Sequence, residues 1–240
     1  ESVITKVSSG TPQDAMACVN AAEDAFHGWA SLSPRERGEV LRKAYELFME
    51  NIDDIAHLIT LENGKAGGDA IGEARYAAEF FRWYAEEAVR SDGHLGMAPA
   101  TGARILVHQK PAGISVLVTP WNYPAAMGTR KIGPALAAGC PVIVKPASET
   151  PLTMLALMPI LSEAGVPPGV VNVLPSRSSG AVVSGMLSDP RVRVVSFTGS
   201  TEVGRKLLHA AADNIVKPAM ELGGNAPFIV CKYANIEAAA

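Results

Sequence analysis

The 240-residue sequence carries 48% hydrophobic and 19% charged side chains at a formal net charge of −3, the composition of a globular chain with a substantial core. The mild negative charge and the lack of any Lys/Arg block exclude an electrostatic nucleic-acid or polybasic membrane role. No apolar run approaches the ~20 residues of a membrane helix. Three widely spaced cysteines, Cys18, Cys140 and Cys231, and an opening E-S-V-I-T-K without a basic start and apolar leader lead us to expect a reduced, cytoplasmic setting.

The first ninety residues read as helices. Thr11-Pro12-Gln13-Asp14 has the form of an N-cap followed by proline at the first helical position, and Val19, Ala22, Phe26 and Trp29 follow at helical spacing. Ser33-Pro34-Arg35-Glu36 repeats the signal, with Glu36 placed to complete a capping box ahead of Val40, Leu41, Ala44, Leu47 and Phe48. After a break at Asn51 a further helix runs to Asn63-Gly64-Lys65, which reads only as a helix stop. The last helix of this part, about Ala66 to Val89, carries Tyr76, Phe80, Phe81 and Tyr84 on one side. Ser91 to Thr101 reads as a linker, and Arg104 to Lys110 as an exposed strand closed by Pro111.

From residue 113 short apolar runs alternate with helical stretches: strands are expected at Ile114 to Val118, Val142 to Val144, Val170 to Leu174, Val192 to Phe197 and Phe228 to Cys231. Apolar strands alternating with helices predict a parallel sheet covered on both faces, with ligands at the carboxyl ends of its strands. The residues that follow the strands therefore carry the functional reading. Asn122, in Thr119-Pro120-Trp121-Asn122-Tyr123-Pro124, offers an amide that can donate to an oxyanion or, more plainly, form an Asx turn. Lys145, which opens Lys145-Pro146-Ala147-Ser148-Glu149-Thr150-Pro151, either reaches a sugar or phosphate or is a solvated surface charge. Phe197-Thr198-Gly199-Ser200-Thr201-Glu202-Val203-Gly204 opens a helix on a Gly-Ser turn, whose free N–H groups suit a pyrophosphate. Glu221, in E-L-G-G-N-A-P, is expected on a turn, where a carboxylate is either solvated or poised for proton work.

P-W-N-Y-P, K-P-A-S-E-T-P, F-T-G-S-T-E-V-G and E-L-G-G-N-A-P, in this order, resemble the aldehyde dehydrogenase superfamily over essentially the whole chain. The resemblance implies an α/β fold: a Rossmann-like parallel sheet, residues 113–240, preceded by a helical part of the cofactor-binding domain over 1–102. Residues 103–112 would be one strand of an oligomerisation hairpin, and the catalytic domain would lie outside this chain. By the same resemblance Glu221 is the general base for a deacylating water and Asn122 the side-chain half of an oxyanion hole. Trp121 and Leu222 would face the nicotinamide, Lys145 and Ser148 the adenosine ribose, and Gly199 and Ser200 the pyrophosphate, with Gly204 closing that loop. Ser148 stands where NAD-preferring members often carry Glu, which implies NADP as cofactor with NAD as the alternative. No metal is implied.

Arg130, two turns into the helix after the P-W-N loop, lies in wording similar to succinate-semialdehyde dehydrogenases, where an Arg binds the substrate's distal carboxylate. The plainer reading of Arg130 is a solvent-facing or structural ion pair. The implied activity is oxidation of succinate semialdehyde to succinate in a homodimer or homotetramer. The alternatives are another semialdehyde or aromatic aldehyde as substrate, or a cofactor-binding protein without catalysis. The resemblance implies a nucleophilic Cys beyond the strand that follows E-L-G-G, past residue 240, while Cys18, Cys140 and Cys231, in a helix, at a helix end and in an expected strand, read as structural. This chain alone is accordingly expected to be an inactive piece of a longer enzyme.

Overall fold

The structure, a computed structural model, describes residues 3–239. Four helices come first: α1 (Pro12–Ser31), α2 (Pro34–Glu50), α3 (Ile52–Asn63) and α4 (Gly67–Glu87). Thr11 with Asp14 and Ser33 with Glu36 form capping boxes at the first two, each with proline just inside the helix. Gly64 ends α3 at φ +79°, a backbone region that a residue with a Cβ seldom adopts.

A hairpin follows, β1 (His94–Met97) paired antiparallel with β2 (Arg104–Val107). The stretch expected as a linker thus contains a strand, and the expected Arg104 to Lys110 strand stops at Val107. Leu95, Met97, Ile105 and Leu106 are all exposed, and β1 shows no inside-outside alternation that would mark it as a strand, whereas the sequence reading places β2.

The rest alternates strand and helix: β3 (Ile114–Val118), α5 (Ala126–Ala137), β4 (Val142–Lys145), α6 (Leu152–Ala164), β5 (Val171–Val173), α7 (Ser179–Leu187), β6 (Val192–Gly199), α8 (Thr201–Ala212) and β7 (Lys217–Leu222). A short α9 (Ile236–Ala239) comes last. The five strands form one parallel sheet in the order β5-β4-β3-β6-β7. Alternate residues of the central strands feed two cores. Leu117, Val142 and Val144 pack with α2, α4, α5 and α6, whereas Ile114, Val116, Val118 and Ile143 pack with α1, α7 and α8. Burying each such side chain is worth about 1.5–3 kcal/mol, so the sheet is clamped from both faces.

One strand differs from expectation. Phe228 to Cys231 lies in irregular chain, with Phe228 78% exposed, and the last strand of the sheet is β7, which carries Glu221. Five of the six residues of β7 are exposed and Pro218 interrupts its donors, as an edge strand permits, so apolar periodicity could not flag it. The chain order reverses at β3: β4 and β5 extend to one side, β6 and β7 to the other. The crevice at the carboxyl ends of β3 and β6 is therefore where a doubly wound sheet holds a ligand.

Candidate active site

The loop between β3 and α5 carries Trp121 and Asn122 between Pro120 and Pro124. Proline fixes its own φ but supplies no hydrogen bond to the residues between. Those bonds come from the helical layer. Asn63 Nδ2 donates to the Trp121 carbonyl at 2.9 Å, Thr150 Oγ1 reaches the same oxygen at 3.5 Å, and Lys65 Nζ donates to the Asn122 carbonyl at 2.9 Å. Trp121 is 57% exposed, and Asn122 is exposed as well. Among the described residues no hydrogen bond engages the Asn122 side chain, so its amide is directed neither into an Asx turn nor into the core.

Beneath this loop Glu73 of α4 is fully buried. Its Oε1 accepts from the backbone N–H of Ala125 at 2.9 Å and of Ala126 at 3.3 Å, and its other oxygen pairs with Lys65 Nζ. Lys65 Nζ also stands 3.9 Å from the centre of the Tyr123 ring. The turn read as a mere helix stop is thus a bracket under the P-W-N loop.

At the end of β4, Lys145 is only 5% exposed, and burial holds its ammonium below the ordinary lysine range while nearby Glu149 opposes the shift. It is not a solvated surface charge. Ser148 is exposed, and its Oγ donates to the Ser176 carbonyl at 3.1 Å. Beside it opens a cavity of about 660 Å³ lined in part by Lys6, Ser148, Glu149 and Arg177. Across the switch point, Ser200 caps α8 and receives Val203 N–H at 3.4 Å. A Cβ at Gly199 would lie 2.5 Å from the Phe197 ring, so a larger residue here would have to displace that ring. The hydroxyl of Thr198, just before it, is buried without a partner. A helix N-terminus, an orphan hydroxyl and a buried lysine along one sheet edge fit an extended, anionic dinucleotide. Gly204 is placed differently from expectation: it lies inside α8, where the absence of a Cβ seats Leu222, whose Cδ2 would otherwise be 2.5 Å away.

Glu221 is a residue of β7, opposite Thr198 in register, rather than a turn residue. Its side chain is 55% exposed, with Oε1 3.4 Å from Nη2 of Arg130, itself 36% exposed. Arg130 is the fifth residue of α5, one turn in rather than two, and its guanidinium lies 6.0 Å from the Phe80 ring centre. The next residue adds a group absent from the sequence reading. Lys131 is 7% exposed, and its Nζ donates to Ser196 Oγ at 2.8 Å. Burial pushes it down to about 8, with Glu221 raising and Arg130 lowering the value. Successive helical residues point about 100° apart, which lets α5 aim one cation at Glu221 and bury the other against β6. No neighbouring letter marks this lysine, because its partner lies 65 residues further along the chain. The structure thus joins Glu221 to Arg130 and sets Trp121, Asn122, Lys145, Ser148, Gly199, Ser200 and Leu222 along the same edge of the sheet.

Cys18 is half-buried on α1, Cys140 is buried ahead of β4, and Cys231 is exposed in irregular chain rather than in a strand. Among the described residues no helix is long and apolar enough to cross a membrane.

A sequence profile described as "Aldehyde dehydrogenase family" matches residues 1–240. The succinate-semialdehyde dehydrogenase of Paenarthrobacter nicotinovorans is 46% identical over 237 residues, 99% of this chain and 53% of its own length. The Escherichia coli (strain K12) protein named as an NADP(+) succinate-semialdehyde dehydrogenase is 48% identical over 223 residues, 93% of this chain and 46% of its own. A crystal structure described as an E. coli NADP-dependent enzyme superposes with a TM-score of 0.91 at 46% identity, covering 98% of this chain and 49% of that one. The chain spans about half the length of the curated relatives it matches.

Proposed function

The chain belongs to the aldehyde dehydrogenase family, and from that premise we propose that it serves an enzyme oxidising succinate semialdehyde to succinate with NADP. The observation that carries this reading is the Arg130–Glu221 pair, a half-exposed guanidinium beside a half-exposed carboxylate at the edge where a doubly wound sheet takes its ligand. Arg130 binds the substrate's distal carboxylate through its planar fork of donors. The Asn122 amide donates to the oxygen of the aldehyde as it gains charge under thiolate attack. After the oxidation has removed hydride from that adduct and left a thioester, Glu221 takes a proton from the water that attacks it, and the thiolate departs. We assign the nucleophile to no cysteine of this chain; it belongs to the family's catalytic part.

The dinucleotide, when bound, supplies the hydride acceptor. Trp121 and Leu222 would flank its nicotinamide, Gly199 and Ser200 its pyrophosphate, and Lys145 and Ser148 its adenosine ribose. Ser148, small and neutral beside Arg177 at the rim of the cavity, supports NADP over NAD. The names of both relatives support the same substrate, and that of the E. coli protein the same cofactor. We place the whole protein in the cytoplasm as a homo-oligomer, with the exposed β1–β2 ribbon as its contact.

The test is Glu221→Gln in the whole protein. Mixing with succinate semialdehyde and NADP should give a full burst of reduced cofactor followed by a steady state slowed about 10²-fold or more, within the range of a lost general base. An unchanged steady-state rate would refute the assignment of Glu221.

A further inference from the structure

We propose that Lys65 and Glu73 form a positioning pair that holds Asn122 in place, an inference that rests on the oxyanion role given to Asn122 above. The observations begin at the N-terminus of α5. Its cap residue, Ala125, has no side chain able to satisfy the first N–H groups. Glu73, from a helix fifty residues earlier in the chain, accepts two of them and places its negative charge at the positive end of α5. A carboxylate without exposed surface needs a cation, and Lys65 Nζ supplies it.

The same ammonium then donates to the Asn122 carbonyl at 2.9 Å and covers the Tyr123 ring. One cation therefore couples the start of α5, the aromatic next to Asn122 and the backbone of Asn122 itself. Asn63, two residues before Lys65, fixes the preceding carbonyl at 2.9 Å. Glu62 extends the grip to the neighbouring strand end, accepting the N–H groups of Leu152 and Thr153 at 2.7 and 2.8 Å, where α6 begins.

Geometry of this kind matters to an oxyanion donor. Such a donor must stand about 2.7–3.1 Å from where the charge develops. A misplacement of ~1 Å can cost about 10²-fold in rate. The Asn122 amide makes no side-chain hydrogen bond of its own among the described residues, so its position follows that of its backbone. The role assigned to Lys65 and Glu73 is one of position, with no contact to substrate or cofactor ascribed to either. Their effect runs through Asn122.

The experiment compares Lys65→Met, Asn122→Ala and the double variant with the unaltered whole protein. Lys65→Met leaves the buried Glu73 carboxylate without its cation, so Lys65→Arg, which keeps the charge, is measured beside it and should restore most of both readouts; no recovery in Lys65→Arg would overturn the pair's role. Two readouts are taken. Amide hydrogen exchange across residues 119–127 should quicken about tenfold or more in Lys65→Met, a local opening, while residues 192–212 exchange as before. The burst of cofactor reduction should slow by about 10²-fold with the cofactor dissociation constant unchanged.

In the double variant the burst should be no slower than in Asn122→Ala alone, because one residue acts through the other. Unchanged exchange over 119–127 would overturn the proposal, and so would two rate losses that multiply in full. If Asn122→Ala itself leaves the burst untouched, the oxyanion reading fails, and the burst outcome expected for Lys65→Met fails with it. The exchange result still decides in that case whether Lys65 holds the loop.

Discussion

Replacing Arg130 by alanine is the perturbation that most directly questions the proposed substrate. The guanidinium faces Glu221 across 3.4 Å, with the two side chains 36% and 55% exposed. A pair so open to solvent is worth less than ~1 kcal/mol, so a substrate carboxylate can take over the guanidinium at little cost. A hydrogen-bonded charge pair to the substrate, formed as water is excluded, contributes about 1.5–3 kcal/mol. At 1.4 kcal/mol per factor of ten, Arg130→Ala should lower kcat/KM for succinate semialdehyde by about 10- to 150-fold. Most of that loss should appear in KM. The assay follows cofactor absorbance with succinate semialdehyde and, in parallel, with butanal, which has the same carbon count and no carboxylate. Butanal turnover should change less than ~3-fold, the scale of the lost Glu221 contact. Equal losses on the two aldehydes would refute the carboxylate clamp and return Arg130 to a structural ion pair.

Three further outcomes are expected. Ser148→Glu places a second carboxylate beside Glu149 at the rim of the cavity, and the ratio of kcat/KM for NADP over NAD should fall more than about tenfold; an unchanged ratio would remove Ser148 from cofactor choice. Lys131 titrates at about 8 in the folded chain against about 10.4 when unfolded, so above pH 8 the unfolded state holds the extra proton and stability rises with pH. The melting temperature of the unaltered protein should therefore gain on that of Lys131→Met between pH 8 and about 10, and a constant difference would place Lys131 in water. A Cβ at Gly38 would stand 2.7 Å from the Ala85 carbonyl oxygen, so Gly38→Ala should force α2 from α4 and cost about 1–3 kcal/mol in urea unfolding, outweighing a helix-propensity gain of ~1 kcal/mol. Net stabilisation would contradict the close approach.

Local chemistry made much of the fold legible in the sequence. Thr11 with Asp14 and Ser33 with Glu36 announce α1 and α2 because a capping box is complete within four residues. The central strands β3 and β4 are legible because every residue in them is buried, leaving runs that are apolar but for Ser115 and the terminal Lys145. Strands β1 and β7 escaped because exposed strands carry no such pattern, and Phe228 to Cys231 misled because an apolar run without a pairing partner is not yet a strand. The strand-end loops of the candidate site were legible from their position after apolar runs. Lys65, Glu73 and Lys131 were not. Their partners lie 57, 52 and 65 residues away, and a contact at that distance leaves no mark in the neighbouring letters.

The position of β7 at the rim of the sheet has a consequence for insertions and deletions. Its phase is set by β6, by the seat of Leu222 on Gly204 of α8 and by the short return Asp213–Val216, which passes through Ile215 at φ +53°. Side chains alternate in direction along a strand, so one residue added to or removed from that return would slide the ladder by a step and turn Glu221 from Arg130 toward the opposite face. The far hairpin turn at residues 98–103, which orients no proposed site residue, is free of that constraint. Counting errors are therefore tolerable in the hairpin turn and disabling in the return to β7: the length of a four-residue connection decides whether the carboxylate meets its guanidinium.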